Sequence, residues 1–341
     1  MDYMLYMKNI LKTSSKNILN PFQSGCRSGF STQSALLYLL QDVRTGIDSG
    51  LITVLVLIDL TKAFDSVDHF TLLSSLKDCN ISNAALKLIH AYLSNRNQAV
   101  LDINCNPTPF TKFSSGVPQG SSPAGLLFNI HINDISSSLN FCKKTHLLFV
   151  DDFQIWLKCK PSDINFTINQ LNIELSNINQ WLLSHGLKPN PNKTQAIIIG
   201  TPSNTKLAHS INYTPLIFNS TQITFTSAVK NLGLHIESDL GWYKQVSQIS
   251  KKVYGTLHNL RAGAYSLPCD TKLTLINALR CSKHLGLDFI AAKNEKKYNL
   301  RDLRNWLLPK FSRVNDQSEE ILKVKSCNFK RARLFSMLFQ T

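Results

Sequence analysis

Two adjacent aspartates, Asp151 and Asp152, stand between the apolar runs of HLLFVDDFQIW (residues 146–156), and a third, Asp59, ends the apolar run TVLVLIDL (residues 53–60). Taken alone, an Asp-Asp pair between two strands reads as an ordinary turn, because the aspartate side chain hydrogen-bonds nearby backbone and tolerates unusual dihedrals. A second strand ending in a carboxylate changes the expectation. If those strands pair in one sheet, three like charges crowd one sheet end and raise their own pKa values unless a cation joins them. Mg²⁺ suits such a place, since it takes oxygen ligands from one or two carboxylates plus substrate phosphates. A pair of such ions about 4 Å apart can stabilise both the attacking and the leaving oxygen of a phosphoryl displacement. Lys and Arg outnumber Asp and Glu by 37 to 22 over 341 residues, a formal charge of +15. That balance favours a polyanionic partner such as nucleic acid, the bland alternative being a merely basic surface.

The elements that must position these carboxylates are legible in outline. Residues 53–60 are nearly continuously apolar and rich in β-branched side chains, the pattern of a strand buried on both faces. Past Asp59, Asp65 or Ser66 is expected to cap a helix through VDHFTLLSSLKD. Ser82 should cap another, with Ala85, Leu86, Leu88, Ile89, Tyr92 and Leu93 as its apolar stripe. SNRN reads as a turn into QAVLDIN, and SSGVPQGSSPAGLLFNIHINDI as a loop that becomes a helix near Pro123. The stretch around Asp151 reads as strand, turn and strand. Ile164, Ile168, Leu171, Leu175, Ile178 and Leu182 recur at helical spacing, with Asp163 as a cap and Gly186 as a stop. KPNPNKTQAIIIG turns through two prolines into a strand, and NLGLHI gives another before a basic helix across WYKQVSQISKKVYGTLHNLRA. Beyond Leu279 charged and apolar residues mix without a face.

With 43% hydrophobic residues the chain can bury a sizeable core, in two or three domains or one multi-lobed one. Its eight cysteines form neither a CxxC pair nor a zinc-spaced cluster with histidine, nor the dense spacing of a secreted disulfide scaffold, so buried or incidental thiols in a reducing, intracellular setting are expected. No stretch approaches the ~20 apolar residues of a membrane span, and a soluble protein without membrane partners is expected.

In order and separation, LIDLTKAFDSVDH, SSGVPQGSSPAGLLFNIHINDI, LLFVDDFQIW and WLLSHGLKPNPNKTQAIIIG resemble the successive palm motifs of reverse transcriptases. The likeness is greatest to those encoded by retrotransposons that lack long terminal repeats. NPFQSGCRSGFSTQSALL resembles the fingers motif of that family and AVKNLGLHIESDLGW the segment from palm to thumb, so that the resemblance covers residues 20–279. An isolated DD would say little; the ordered set is specific.

The resemblance implies a right-hand polymerase of α+β class: an antiparallel-sheet palm backed by helices, partial fingers and a partial helical thumb. Residues 1–52 would be partial fingers, 53–200 the palm with finger elements, 201–280 the connection and partial thumb, and 281–341 a degenerate or rearranged tail. It implies RNA-directed DNA synthesis, with two Mg²⁺ ions on Asp59, Asp151 and Asp152, an RNA template, a DNA primer and a dNTP. Phe64 would be the gate against a ribose 2′-hydroxyl, although it also reads as a core aromatic; Gln119 would line the nucleotide pocket, where Gly116 and Gly120 let backbone approach closely. Lys193 would sit near the triphosphate or else be solvated in its turn, and Arg27 would face template or incoming nucleotide. Lys244, Lys251, Lys252 and Arg261 would track duplex phosphates or form a solvated face. The family's RPISL string does not occur ahead of FQSG, Val150 replaces the usual alanine and Cys26 the usual aromatic. A truncated copy is therefore expected, with a catalytically inactive nucleic-acid-binding remnant as the alternative. Copying into a chromosome would require nuclear access, for which no signal is evident; oligomeric state is left open.

Overall fold

The structure, a computed structural model, describes residues 19–263 apart from 104 and 114. The expected tail over 281–341 and the end of the expected thumb lie outside the described residues, as does the Arg261 side chain. The chain divides into two compact units, Met1–Gly241 and Trp242–Thr341.

In chain order the first unit runs α1 (Thr32–Asp48), β1 (Ile52–Ile58), β2 (Leu60–Thr61), a 3₁₀ turn (Ala63–Ser66), α2 (His69–Asp78) and α3 (Asn83–Leu93). It continues with β3 (Arg96–Gln98), β4 (Thr111–Phe113), α4 (Ala124–His131), β5 (His146–Phe149), β6 (Asp152–Cys159) and α5 (Ile164–Ser184). The last elements are β7 (Lys188–Pro189), β8 (Gln195–Ile199), α6 (Pro202–Ser210), and the pairs β9 (Leu216–Phe218), β10 (Thr221–Ile223) and β11 (Ala228–Asn231), β12 (Leu234–Glu237). The described part of the second unit is the basic helix α7 (Tyr243–Gly263), on which Lys244, Lys251 and Lys252 are exposed.

Four strands form the central sheet in the order β5-β6-β1-β8, and every neighbouring pair is antiparallel. This is the antiparallel α+β arrangement expected. β1 is buried on both faces because both are covered. Ile52, Val54, Val56 and Ile58 join the main core with Ile168, Leu171, Leu175 and Leu182 of α5. On the other face Trp156, opposite Leu55, donates its indole N–H to Asp42 of α1 (2.8 Å) and meets the edge of Tyr38. Fully burying an aliphatic side chain contributes about 1.5–3 kcal/mol, so a strand with two apolar faces commits strongly to the middle of the sheet.

Local signals account for most boundaries, with three corrections. The cap of α2 is Asp68, whose carboxylate accepts from Thr71 N–H (2.8 Å), whereas Asp65 and Ser66 fall in the 3₁₀ turn before it. The turn expected over SNRN gives way within it to a strand, because Arg96–Gln98 pairs with Thr111–Phe113. Asp163 occupies the N-cap position of α5 without a side-chain capping bond. Ser82 caps α3 as expected, and Gly186 (φ 73°) follows the C-cap of α5 in the left-handed region that stops a helix.

Among the described residues no helix is long and apolar enough to cross a membrane. The described cysteines (Cys26, Cys79, Cys105, Cys142, Cys159) are not joined in disulfides, and two of them are buried.

Candidate active site

Register, more than any single residue, assembles the carboxylates. Ile58 at the end of β1 lies opposite Phe153 of β6, so Asp59 and Asp152 extend past the same pair. β5 and β6 pair up to Phe149 opposite Asp152, leaving Val150 and Asp151 as the tight turn between them. All three carboxylates thus gather at one end of two adjacent strands. Burial raises the Asp151 carboxyl above the usual aspartate range, with the charge of Asp59 adding to it. Asp152 is pushed up to about 6, first by its low-dielectric surroundings and then by Asp151 and Asp59, even though its side chain is exposed. Among the described residues, no group of three or more His, Cys, Asp or Glu side chains closes to metal-binding distance. The three aspartates are within electrostatic reach and held on fixed strand ends; their mutual repulsion is what a cation would relieve.

The turn itself is under tension. Val150 has φ 60°, a conformation that a β-branched residue rarely adopts, that costs about 1–3 kcal/mol and that persists only where its surroundings enforce it. The enforcing element is the FQSG loop. Ser24 N–H donates to Leu148 C=O (2.9 Å) and Leu148 N–H to Phe22 C=O (3.0 Å). The buried Gln23 accepts on one oxygen from Gly25 N–H (2.8 Å) and Val150 N–H (3.1 Å). Asn129 of α4, fully buried, donates to Gly25 C=O (2.6 Å). Gly25 has room for no side chain: a Cβ there would stand 2.4 Å from Val150 N.

A second loop brings Phe64 and Gln119 together. Val117 N–H donates to Phe64 C=O (2.8 Å) and Gly116 N–H to Val67 C=O (2.7 Å), so GVPQG lies on the 3₁₀ turn that follows Asp59. Gly116 (φ 87°) permits this approach, since a Cβ there would be 2.7 Å from Asp65 Cα. Gln119 donates to Asp65 Oδ1 (3.0 Å). Phe64 stacks on the buried Phe128 of α4 with ring centroids 4.9 Å apart, yet it is only half-buried, so it joins the core and still presents an edge.

Lys193 is exposed, and its turn is fastened to Asp59. Asn190 donates through its side-chain amide to Asp59 Oδ2 (2.9 Å) and through its backbone N–H to Asp59 C=O (2.9 Å). Arg27 does not extend to the carboxylates; its guanidinium donates to Asn20 C=O (3.0 Å) and Gln23 C=O (3.4 Å) and lies over the Phe30 ring. Its loop, through Gln23, does reach the turn.

Five supporting residues were not singled out from the sequence. Gln23 and Asn129 sit inside FQSG and GLLFNIH with no pattern to distinguish them. Gln154 of β6 and Asn231 of β11 form a reciprocal buried amide pair (3.0 and 2.6 Å) that ties the β11–β12 hairpin to the strand bearing Asp152. Asn190 had a signal, an NPN turn beside Lys193, but nothing indicated that it would meet Asp59.

An antiparallel sheet that gathers three carboxylates at one strand end, beneath glycine-tight loops and backed by helices, is the palm of a right-hand polymerase. Residues 2–236 match the family described as "Reverse transcriptase (RNA-dependent DNA polymerase)", and the chain belongs to that family. It is 25% identical over 251 residues to a Drosophila melanogaster protein described as "Probable RNA-directed DNA polymerase from transposon BS", a match covering 72% of this chain and 27% of that protein. The chain thus spans about a quarter of the length of that relative. Among solved structures, an apo telomerase from Candida tropicalis truncated from its C-terminal domain aligns with a TM-score of 0.48 at 15% identity, over 69% of this chain and 43% of that one. A telomerase from Candida albicans in complex with a fragment of telomeric RNA aligns with a TM-score of 0.48 at 13% identity, over 89% and 53%.

Proposed function

We propose that this chain is the catalytic core of a reverse transcriptase from a retrotransposon lacking long terminal repeats, extending a DNA primer on an RNA template with dNTPs. The observation that carries this reading is the meeting of Asp59 with Asp151 and Asp152 at one sheet end of a strongly basic protein. The three aspartates would hold two Mg²⁺ ions. Oxygen-only donors, with the Asp151 and Asp152 carboxyls raised first by burial and then by neighbouring carboxylate charge, fit a hard divalent cation. When bound, Mg²⁺ supplies positive charge that favours the ionised primer 3′-hydroxyl and the departing pyrophosphate.

The remaining roles fall to the chain's own side chains. The exposed edge of Phe64 would meet the sugar and exclude a 2′-hydroxyl, and Gln119 with the backbone of GVPQG would line the nucleotide pocket. The Lys193 ammonium would neutralise or protonate the pyrophosphate as it leaves. Arg27 would act on template or nucleotide only by exchanging its present carbonyl partners, and α7 would follow duplex phosphates through Lys244, Lys251 and Lys252. We assign residues 53–200 to the palm with finger elements, 1–52 to partial fingers and 201–280 to the connection and partial thumb.

Purified chain given a primed RNA template, Mg²⁺ and dNTPs should extend the primer, and Asp151→Ala should reduce extension to the no-enzyme level. Equal extension by the two proteins would sink the catalytic reading. No extension by either, with salt-sensitive nucleic-acid binding retained, would favour a non-catalytic remnant.

A further inference from the structure

The Asp59 carboxylate is held by a residue from a distant segment. Asn190 lies 131 residues later in the chain, and its side-chain amide donates to Asp59 Oδ2 at 2.9 Å. The contact is bracketed on both sides. Asn190 N–H donates to the Asp59 carbonyl (2.9 Å), while Thr194 Oγ1 donates to Asn190 C=O (2.9 Å) and accepts from Asp59 N–H (3.3 Å). β2 pairs with β7 immediately beside it, Leu60 opposite Pro189. Backbone bonds thus hold the two segments together, leaving the side-chain amide free for another task.

We propose that Asn190 is a positioning residue for Asp59: it occupies one carboxylate oxygen, fixes the rotamer, and leaves Oδ1 for the ion. The proposal rests on the metal-binding reading above. The same turn carries Lys193, whose backbone N–H donates to Asn190 C=O (3.2 Å). One turn then sets both a carboxylate that would bind the ion and the cation that would meet the leaving group. Partners that orient a ligating carboxylate are worth about 10–100-fold in metal affinity or activity, which sets the size of the expected effect.

The test is titration of Mn²⁺ into the full-length protein, read by the electron paramagnetic resonance of free ion, beside the Mg²⁺ midpoint for primer extension. Asn190→Ala should raise the Mn²⁺ dissociation constant and the Mg²⁺ midpoint about 10–100-fold, with saturating Mg²⁺ recovering most of the turnover and the KM for primer–template unchanged. A role confined to holding the turn would lower the melting temperature without moving the Mg²⁺ midpoint, and that result would overturn the proposal. Asn190→Ser, which suits a turn but lacks the amide's reach, should show the same shift and serves if the alanine variant does not melt cooperatively. Asp59→Asn separates the two levels. If it abolishes Mn²⁺ binding while both Asn190 variants bind like the parent, the positioning role alone fails. If Asp59→Asn itself binds Mn²⁺ like the parent, the metal-site reading fails instead.

Discussion

Gly25→Ala is the sharpest perturbation the fold offers, because it adds one methyl group where the FQSG loop crosses the aspartate turn. The new Cβ would lie 2.4 Å from Val150 N, 2.4 Å from Val150 Cγ2 and 3.0 Å from the Phe149 carbonyl carbon. A side chain can swing away, but the backbone nitrogen cannot, so loop and turn must part by about 1 Å to restore ordinary contact. Two hydrogen bonds lie next to that contact, Val150 N–H to Gln23 across it (3.1 Å) and Asn129 of α4 to Gly25 C=O behind it (2.6 Å). Overpacking costs about 1–3 kcal/mol and each bond contributes about 1 kcal/mol, so a loss of roughly 3–5 kcal/mol is expected. For a unit of this size that lowers the melting temperature by roughly 6–20 °C. Thermal unfolding followed by circular dichroism reads it directly. Primer extension should fall further than stability does, since Val150 at φ 60° is then free to relax and carry Asp151 with it. Pairing the change with Val150→Ala relieves only the Cγ2 contact and should not rescue it. A Gly25→Ala protein that melts within about 1 °C of the parent, or a full rescue by Val150→Ala, would refute the reasoning.

Three further outcomes are expected. Gly116→Ala combines a left-handed φ of 87° with a Cβ 2.7 Å from Asp65 Cα, so GVPQG should lift off the 3₁₀ turn and the KM for dNTP should rise, measured by steady-state extension. Glu174 is fully buried and accepts N–H bonds from Asn140, Phe141 and Cys142; Glu174→Ala strands them and should cost about 3–5 kcal/mol by denaturant unfolding, while Glu174→Gln, keeping one acceptor oxygen, should cost less. His131 is buried, and loss of hydration is the first cause that holds its imidazole at about 4 instead of 6.5. Since the unfolded chain then binds the extra proton, its contribution is complete above pH 6.5 and is lost as pH falls toward 4. The gap amounts to roughly 3 kcal/mol, and His131→Gln should flatten that part of the stability–pH profile.

The secondary structure near the site was written locally, and so was legible. β1 declares itself by continuous β-branched residues, α5 by its 3.6-residue stripe, and Ser82 and Gly186 by the dihedrals and bonds that helix ends require. The chemistry of the three aspartates was legible only on the condition that their strands pair, which hydropathy cannot supply because an apolar strand does not specify its neighbour. α1, which covers the second face of the sheet, escaped notice: its apolar residues sit in a sequence read for its FQSG motif. The cap of α2 was misplaced because Asp65, Ser66 and Asp68 all suit an N-cap, and only the 3₁₀ turn imposed by the docking of Val117 selects Asp68.

By itself the sequence determined which groups are present and the short-range order around them: the aspartates at their strand ends, the glycine loops, the basic balance of +15. Tertiary structure decided which of those groups meet. The antiparallel register of β1 with β6 brings Asp59 to Asp151 and Asp152, Gln23 and Asn129 hold the turn that presents them, and Asn190 fastens Asp59 from 131 residues away. These contacts depend on how distant segments pack, and an asparagine or glutamine carries no mark of the partner it will find until the chain has closed around it.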